Sequence, residues 1–199
     1  MENNLTNLEQ HMIKEISHGI CVSNLAWRVA KEAGLDEEQC HELAVAGMLH
    51  DVGKLEVWKY ICQKGNTLNI EEMRYVRTHS TLSYTMLVKE SYSPFVLESI
   101  LYHHENYDGT GYPSNRAGKE IPIGARVLRV CDVFAALISN RAYRRAYSID
   151  MAVELMIEEV KNFDMKIFLA FLTVIHQEGI EDLLNKSRLD CFEFEEEKL

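Results

Sequence analysis

The stretch His103-His104-Glu105-Asn106-Tyr107-Asp108-Gly109-Thr110-Gly111-Tyr112-Pro113 joins two adjacent imidazoles to a glycine-rich turn, and its reading decides what the rest of the chain must be. Histidine is the commonest side-chain metal ligand. Neighbouring residues on a helix point about 100° apart, so a pair that is jointly useful implies more than one metal ion. Gly109 and Gly111 read as positions for positive φ, while Pro113 fixes its own φ and biases Tyr112 toward extended backbone. Partners for the twin imidazoles must come from elsewhere, and the apolar pattern says on which elements.

Working outward, Ser93-Pro94 opens a helix that runs down to His103-His104, with proline in the tolerated first position. Downstream, Ile123 to Ser139 reads as a buried helix carrying Asp132 among Val127, Leu128, Val130, Val133, Phe134 and Leu137. A carboxylate in that company is costly unless it is paired or bound to metal. Upstream, Asn69 caps a helix from about Ile70 to Lys89, with Glu71-Glu72 favouring its start and His79 midway along. Residues 55 to 69 read as a connection with short helical turns, punctuated at Gly65-Asn66. Asp36 caps an earlier helix whose face is Cys40, Leu43, Ala44, Gly47 and Met48 and which delivers His50-Asp51 at its end. Before it, residues 7 to 33 form a long amphipathic helix with His18 inside and Gly34 as its stop. Helices near 149 to 161 and 164 to 177 complete the count. No run alternates as strands do, so the fold class is all-α. The 199 residues make one domain, 1–199, with its core at about 12–178 and an acidic tail, 179–199, as a solvated end.

Composition excludes several functions. A net charge of −10 opposes binding to duplex nucleic acid, which requires a basic surface against phosphates. An anionic small substrate is still compatible, because bound cations and a few placed basic side chains reverse the sign locally. No apolar run approaches the roughly 20 residues of a membrane span. The five cysteines, Cys21, Cys40, Cys62, Cys131 and Cys191, stand singly without a C-x-x-C pair, which predicts reduced thiols and a cytoplasmic protein.

The ligand-bearing residues collect as His18, His50, Asp51, His79, His103, His104 and Asp132, spread over five expected helices as in a metal site at a bundle core. Their nitrogen-rich, thiolate-free set suits iron or manganese, with zinc or nickel as alternatives, and argues against calcium or magnesium cages. His11, His41 and His176 read as ordinary helix histidines, and a buried pair with Arg126 or Arg129 is the structural alternative for Asp132.

These motifs resemble the HD-GYP family, a branch of the HD superfamily of metal-dependent phosphohydrolases, over about residues 12 to 175. The resemblance rests on His50-Asp51-Val52-Gly53-Lys54, on His103 to Pro113 as H-H-E-x-x-D-G-x-G-Y-P, and on Ile121-Pro122-(x3)-Arg126 leading to Asp132-Val133-Phe134. It implies a single-domain helical bundle of the HD type with two divalent metal ions. The implied reaction is hydrolysis of cyclic di-GMP to linear pGpG, and on to GMP in some members, by a metal-bridging hydroxide. Another cyclic dinucleotide, a nucleotide, or a non-catalytic interaction role are the alternatives. Carried over by position, the seven residues above match the metal ligands, with Asp51 bridging; Asp51 and Lys54 carry catalysis. Lys54, Arg141 and Arg144 fall against substrate phosphates, and Gly109, Gly111, Tyr112 and Pro113 form the loop that names the family. A diguanylate cyclase domain is the implied protein partner.

The chain departs from the family pattern at four places. A glutamate that serves a third metal in some members is replaced by Lys14, with Glu15 one place off on another helix face, which favours two metals. Ala135 replaces the second aspartate of D-x-F-D-A-L, Met165 replaces the proline of F-D-P, and Gln63-Lys64-Gly65 replaces K-P-G. No sensory or receiver segment precedes the domain, so control through abundance, a partner or substrate level is expected.

Overall fold

The computed structural model describes residues 2–61, 70–140 and 144–187, apart from the side chains of 2–8, 10, 11, 59–61, 186 and 187. Arg141, the Gln63-Lys64-Gly65 stretch, Asn69 as a cap, Cys62, Cys191 and the acidic end therefore lie outside the described residues. Ten helices follow one another among the described residues: α1 (Glu2–Glu32), α2 (Glu37–Leu49), α3 (Lys54–Ile61), α4 (Ile70–Val76), α5 (His79–Leu87), α6 (Pro94–Leu101), α7 (Ile123–Leu137), α8 (Ile149–Glu158), α9 (Met165–Ile175) and α10 (Ile180–Ser187). The fold is all-α.

Each boundary has a local cause. Gly34, at φ +85°, ends α1, with Leu35 N–H returning to the Ala30 carbonyl (3.0 Å) and Gly34 N–H to that of Lys31 (3.1 Å), the double closure that a left-handed residue permits. Asp36 then caps α2, accepting from Gln39 N (2.8 Å) while Gln39 Oε1 accepts from Asp36 N (3.4 Å). Ser93 Oγ accepts from Val96 N (3.2 Å) to start α6 at Pro94.

The core gathers around α7. Val127, Leu128, Val130, Cys131 and Phe134 are fully buried, and the Phe134 ring meets Phe171 of α9 edge-on at 4.9 Å. A stripe on α1, Val22, Leu25, Ala26, Val29 and Ala30, closes the other side at helical spacing. This packing sets the C-terminal half of α1, the end of α2 and the middle of α7 around one interior point.

The short helical turns expected within 55–69 include a two-turn helix over Lys54–Ile61. Three expectations are corrected. The single helix expected over 70–89 breaks at Arg77-Thr78, because side chains there take the carbonyls that a continuous helix needs. Thr78 Oγ1 and Thr78 N both donate to Tyr75 O (2.6 and 3.0 Å), the acceptor due to His79 N. Met48 is 40% exposed and Ala46 takes its expected place in the core. Ile180–Ser187, expected in the tail, form α10, which buries Ile180 and Leu184 in the core.

Candidate metal centre

Three of the histidines end or begin helices, and the helix ends orient them alike. His50 Nδ1 donates to Gly47 O (2.8 Å), His79 Nδ1 to Val76 O (2.8 Å) and His103 Nδ1 to Ile100 O (2.6 Å), each to the carbonyl three residues back. A carbonyl oxygen only accepts, so Nδ1 carries a proton in each ring and Nε2 is the atom turned to the cluster, where on His50 a cation would replace the proton that Asp51 and Asp132 favour. The break between α4 and α5 thus has a use: it frees the Val76 carbonyl to hold the His79 ring.

The seven residues converge in two groups. His18, His50, Asp51 and Asp132 form one, and His79, His103 and His104 the other, with ligand atoms in each within 4.8 Å of one another. Asp51 stands between them: Oδ2 lies 3.1 Å from His50 Nε2 and 3.7 Å from His18 Nε2, while Oδ1 lies 3.2 Å from His79 Nε2. Asp132 Oδ1 meets His18 Nε2 at 3.0 Å and His50 Nε2 at 3.7 Å. The structural alternative for Asp132 is not taken, since Arg126 pairs instead with Asp164 across α7 and α9.

The donor set fits cations. His79 Nε2 lies 3.0 Å from His104 Nε2 and 3.4 Å from His103 Nε2. Two nitrogens about 2.1 Å from a shared cation lie about 3.0–3.4 Å apart when they subtend roughly 90–110°. His50 Nε2 and Asp51 Oδ1 are buried without a hydrogen-bond partner, a costly state unless a positive charge sits among them. His18 differs from the others: its Nδ1 is buried and unpartnered, and only Nε2 faces the carboxylates.

Electrostatics follow from burial and from the two carboxylates. Burial opposes the His50 imidazolium, but Asp51 and Asp132 outweigh it and raise the group to about 10. Burial also opposes ionisation of Asp51 and Asp132, yet His50 and Lys54 hold the former, and His18 and His50 the latter, well below the usual carboxylate range. On the other side burial dominates, pushing His103 well down and His104 to about 3, so that these rings stay neutral and ready to coordinate. Lys54, opposed by burial, is raised above its ordinary range by Asp51 and Glu15.

Two glycines let the pieces approach. A Cβ on Gly53 would sit 2.3 Å from His79 O and 2.6 Å from Ser83 N, so the turn after His50-Asp51 packs directly on the α5 backbone. Ser83 Oγ ties that contact, accepting from Gly53 N (2.8 Å) and donating to His50 O (2.7 Å). Gly111 was expected for positive φ, which only Gly109 of the pair adopts (+84°). Its need is proximity: a Cβ there would lie 2.2 Å from Asn106 N, 2.4 Å from Glu105 Cα and 2.5 Å from His104 O. The loop folds back so that Tyr112 N donates to His104 O (3.1 Å) and the Tyr112 ring stacks on His104 at 4.7 Å. The peptide bond before Pro113 is cis.

Several residues in this arrangement take roles that the sequence did not assign to them. Glu105, fully buried, accepts from Ser114 N (2.6 Å) and Arg116 N (3.1 Å) and closes the loop. Arg129 donates to Asn106 Oδ1 (3.0 Å) and brings Nη1 to 3.4 Å from His104 Nδ1, so it braces the second imidazole of the pair. Glu15, set aside for its helix face, reaches Lys54 at 3.4 Å. The guanidinium of Arg144, expected against phosphate, donates here to the carbonyls of Ala136, Leu137 and Arg145 and lies over Tyr147, capping α7. Ala135 is fully buried in the core, and Lys14 is exposed.

A family model described as HD domain matches residues 1–167. The chain belongs to the HD domain family. Among curated relatives of this HD domain, a cyclic di-GMP phosphodiesterase of Pseudomonas aeruginosa is 35% identical over 159 residues, covering 79% of this chain and 38% of the relative. A 3'3'-cGAMP-specific phosphodiesterase of Vibrio cholerae is 35% identical over 153 residues, covering 76% and 36%. The chain thus spans less than two fifths of the length of these relatives. Among solved structures, an HDG"Y"P protein of Bdellovibrio bacteriovorus superposes with a TM-score of 0.65 at 19% identity, covering 80% of this chain and 52% of the other, which shows the shared fold. No helix among the described residues is long and apolar enough to cross a membrane.

Proposed function

We propose that this chain is a metal-dependent phosphodiesterase that hydrolyses cyclic di-GMP to linear pGpG. The observation that carries the reading is Asp51, whose two oxygens face two separate groups of imidazoles within 3.1 and 3.2 Å, the placement of a carboxylate shared by two cations. His18, His50 and Asp132 would hold one divalent ion and His79, His103 and His104 the other, with Asp51 common to both; iron or manganese suits the set. Bound there, such ions supply positive charge to a phosphodiester and lower the pKa of a nearby water.

The chain's own residues do the rest. Lys54 Nζ, kept as an ammonium by Asp51 and Glu15, places positive charge beside the cluster for a phosphate oxygen and can give a proton to the leaving oxygen. Tyr112 covers one face of His104 and shields the ligand side from bulk water. Arg141 is kept as a second phosphate contact, and the curated relatives support the substrate class. Because a relative of equal identity is named for 3'3'-cGAMP, that dinucleotide is the second reading. The buried, reduced cysteines Cys21, Cys40 and Cys131 suit the reducing cytoplasm, and the exposed tip Pro113 to Asn115 is where a diguanylate cyclase partner would dock.

The test is anaerobic purification with Fe²⁺ or Mn²⁺, then equal concentrations of cyclic di-GMP, 3'3'-cGAMP and cyclic di-AMP, with products separated by chromatography. Linear pGpG is expected to form fastest. Absence of turnover of all three with either metal would reject the reading.

A further inference from the structure

Lys54 is the first residue of α3, where a cation stands against the free N–H groups of a helix start instead of complementing them. Its place is therefore held by side chains. Nζ donates to Asp51 Oδ2 and lies 3.4 Å from Glu15 Oε2, which arrives from α1. Both members of the Lys54–Glu15 pair keep only about a fifth of their side-chain surface exposed, at 22% and 21%. Glu15 Oε2 itself is buried and forms no aligned hydrogen bond, so this contact with Lys54 is an ion pair of charges.

The two carboxylates beside Lys54 are not equivalent. Asp51 faces imidazoles from both groups, and in the function proposed above its oxygens are committed to cations. Two divalent charges then repel the ammonium that Asp51 alone would hold. Glu15 lies outside both groups of ligand atoms, three residues before His18 on α1 and so beside it on the helix surface. Its charge stays available when the cluster is filled.

We propose that Glu15 is a positioning residue, which anchors the Lys54 ammonium at the rim of the ligand cluster so that it meets the phosphate instead of swinging into solvent. The proposal rests on the phosphodiesterase reading for its kinetic consequence. The Glu15–Lys54 contact itself is tested without turnover.

Glu15→Gln keeps the shape and removes the charge. With cyclic di-GMP it is expected to lower kcat about 10- to 100-fold, the range of a lost charge-assisted contact, with KM and manganese content unchanged. Glu15→Asp should recover part of that loss. In a Lys54→Met background Glu15→Gln should have no further effect, since the group it positions is gone. An equal loss in both backgrounds, an unchanged kcat, or a fall in bound manganese would each overturn the proposal, the last by making Glu15 a metal ligand. A crystal structure of the manganese-loaded protein is the activity-independent arm: Lys54 Nζ within about 4 Å of the Glu15 carboxylate is expected. Lys54 turned to solvent, or Glu15 on a cation, would refute it even if no cyclic dinucleotide is hydrolysed, whereas inactivity with that pair intact would sink the reaction alone.

Discussion

Gly111→Ala isolates the packing that holds the loop on the twin histidines. The added methyl would stand 2.2 Å from Asn106 N, 2.4 Å from Glu105 Cα and 2.5 Å from His104 O, all backbone atoms that no rotamer change can move. Ordinary contact needs about 3.5 Å, so the loop must retreat by about 1 Å. That stretches the Tyr112 N to His104 O hydrogen bond from 3.1 Å out of range and unseats the Tyr112 ring from His104. Overpacking of about 1–3 kcal/mol and a lost hydrogen bond of about 1 kcal/mol give a loss of roughly 2–4 kcal/mol. For a domain of this size that lowers Tm by about 5–15 °C. Because the loop also fixes a candidate ligand, affinity for Mn²⁺ should fall about 10- to 100-fold, as when an outer support of a metal site is lost. Thermal unfolding of the metal-free protein and titration with Mn²⁺ measure the two effects separately. A variant that melts within about 1 °C of the parent and binds manganese equally well would refute the packing argument.

Three other outcomes are expected. Ser83→Ala removes the hydroxyl between Gly53 N and His50 O and leaves a buried N–H unpaired; a loss of about 2–3 kcal/mol by urea unfolding is expected, and less than about 0.5 kcal/mol would contradict it. Arg126→Met strands the Asp164 carboxylate at the start of α9, where both side chains are mostly buried; the cost should be about 3–5 kcal/mol, recovered in part by Asp164→Asn, and manganese stoichiometry should not change. In metal-free protein, the depressed His103 and His104 stay neutral while their unfolded counterparts take up protons below about pH 6.5, so stability should fall as pH falls toward about 4, by about 1.4 kcal/mol per pH unit for each. The raised His50 is protonated in both states there, and the depressed Asp51 and Asp132 act only at lower pH, so none of them sets this slope. His104→Gln should halve the slope, and flat stability over that window would refute the assignment of burial as its cause.

What was legible in the chain was whatever short-range chemistry controls. Asp36 with Gln39, Ser93 with Pro94, and Gly34 mark helix ends within a few residues, so the end of α1 and the starts of α2 and α6 were legible in sequence. Apolar spacing around Asp132 marked α7 as buried, and the family motif named the seven residues that come together. The α4–α5 break was not legible, because it depends on which carbonyl Thr78 and His79 choose, a choice between nearly equal local bonds that packing settles. The role of Glu15 was not legible for a related reason: it lies one place off the family's glutamate position at Lys14, and Lys54 reaches it from another helix.

The sequence by itself determined an all-α chain, the helix ends that carry a local cap and the identity of the nitrogen and oxygen donors, since propensity, capping and side-chain chemistry act over a few residues. Only the tertiary structure decided that Asp51 lies between two groups of imidazoles, that Gly111 is required for closeness and not for φ, that Arg144 caps α7, and that Lys54 answers to Glu15. Those relations join residues 28 or more positions apart or turn on backbone contacts, and burial of the α1, α7 and α9 faces is what brings such positions within reach.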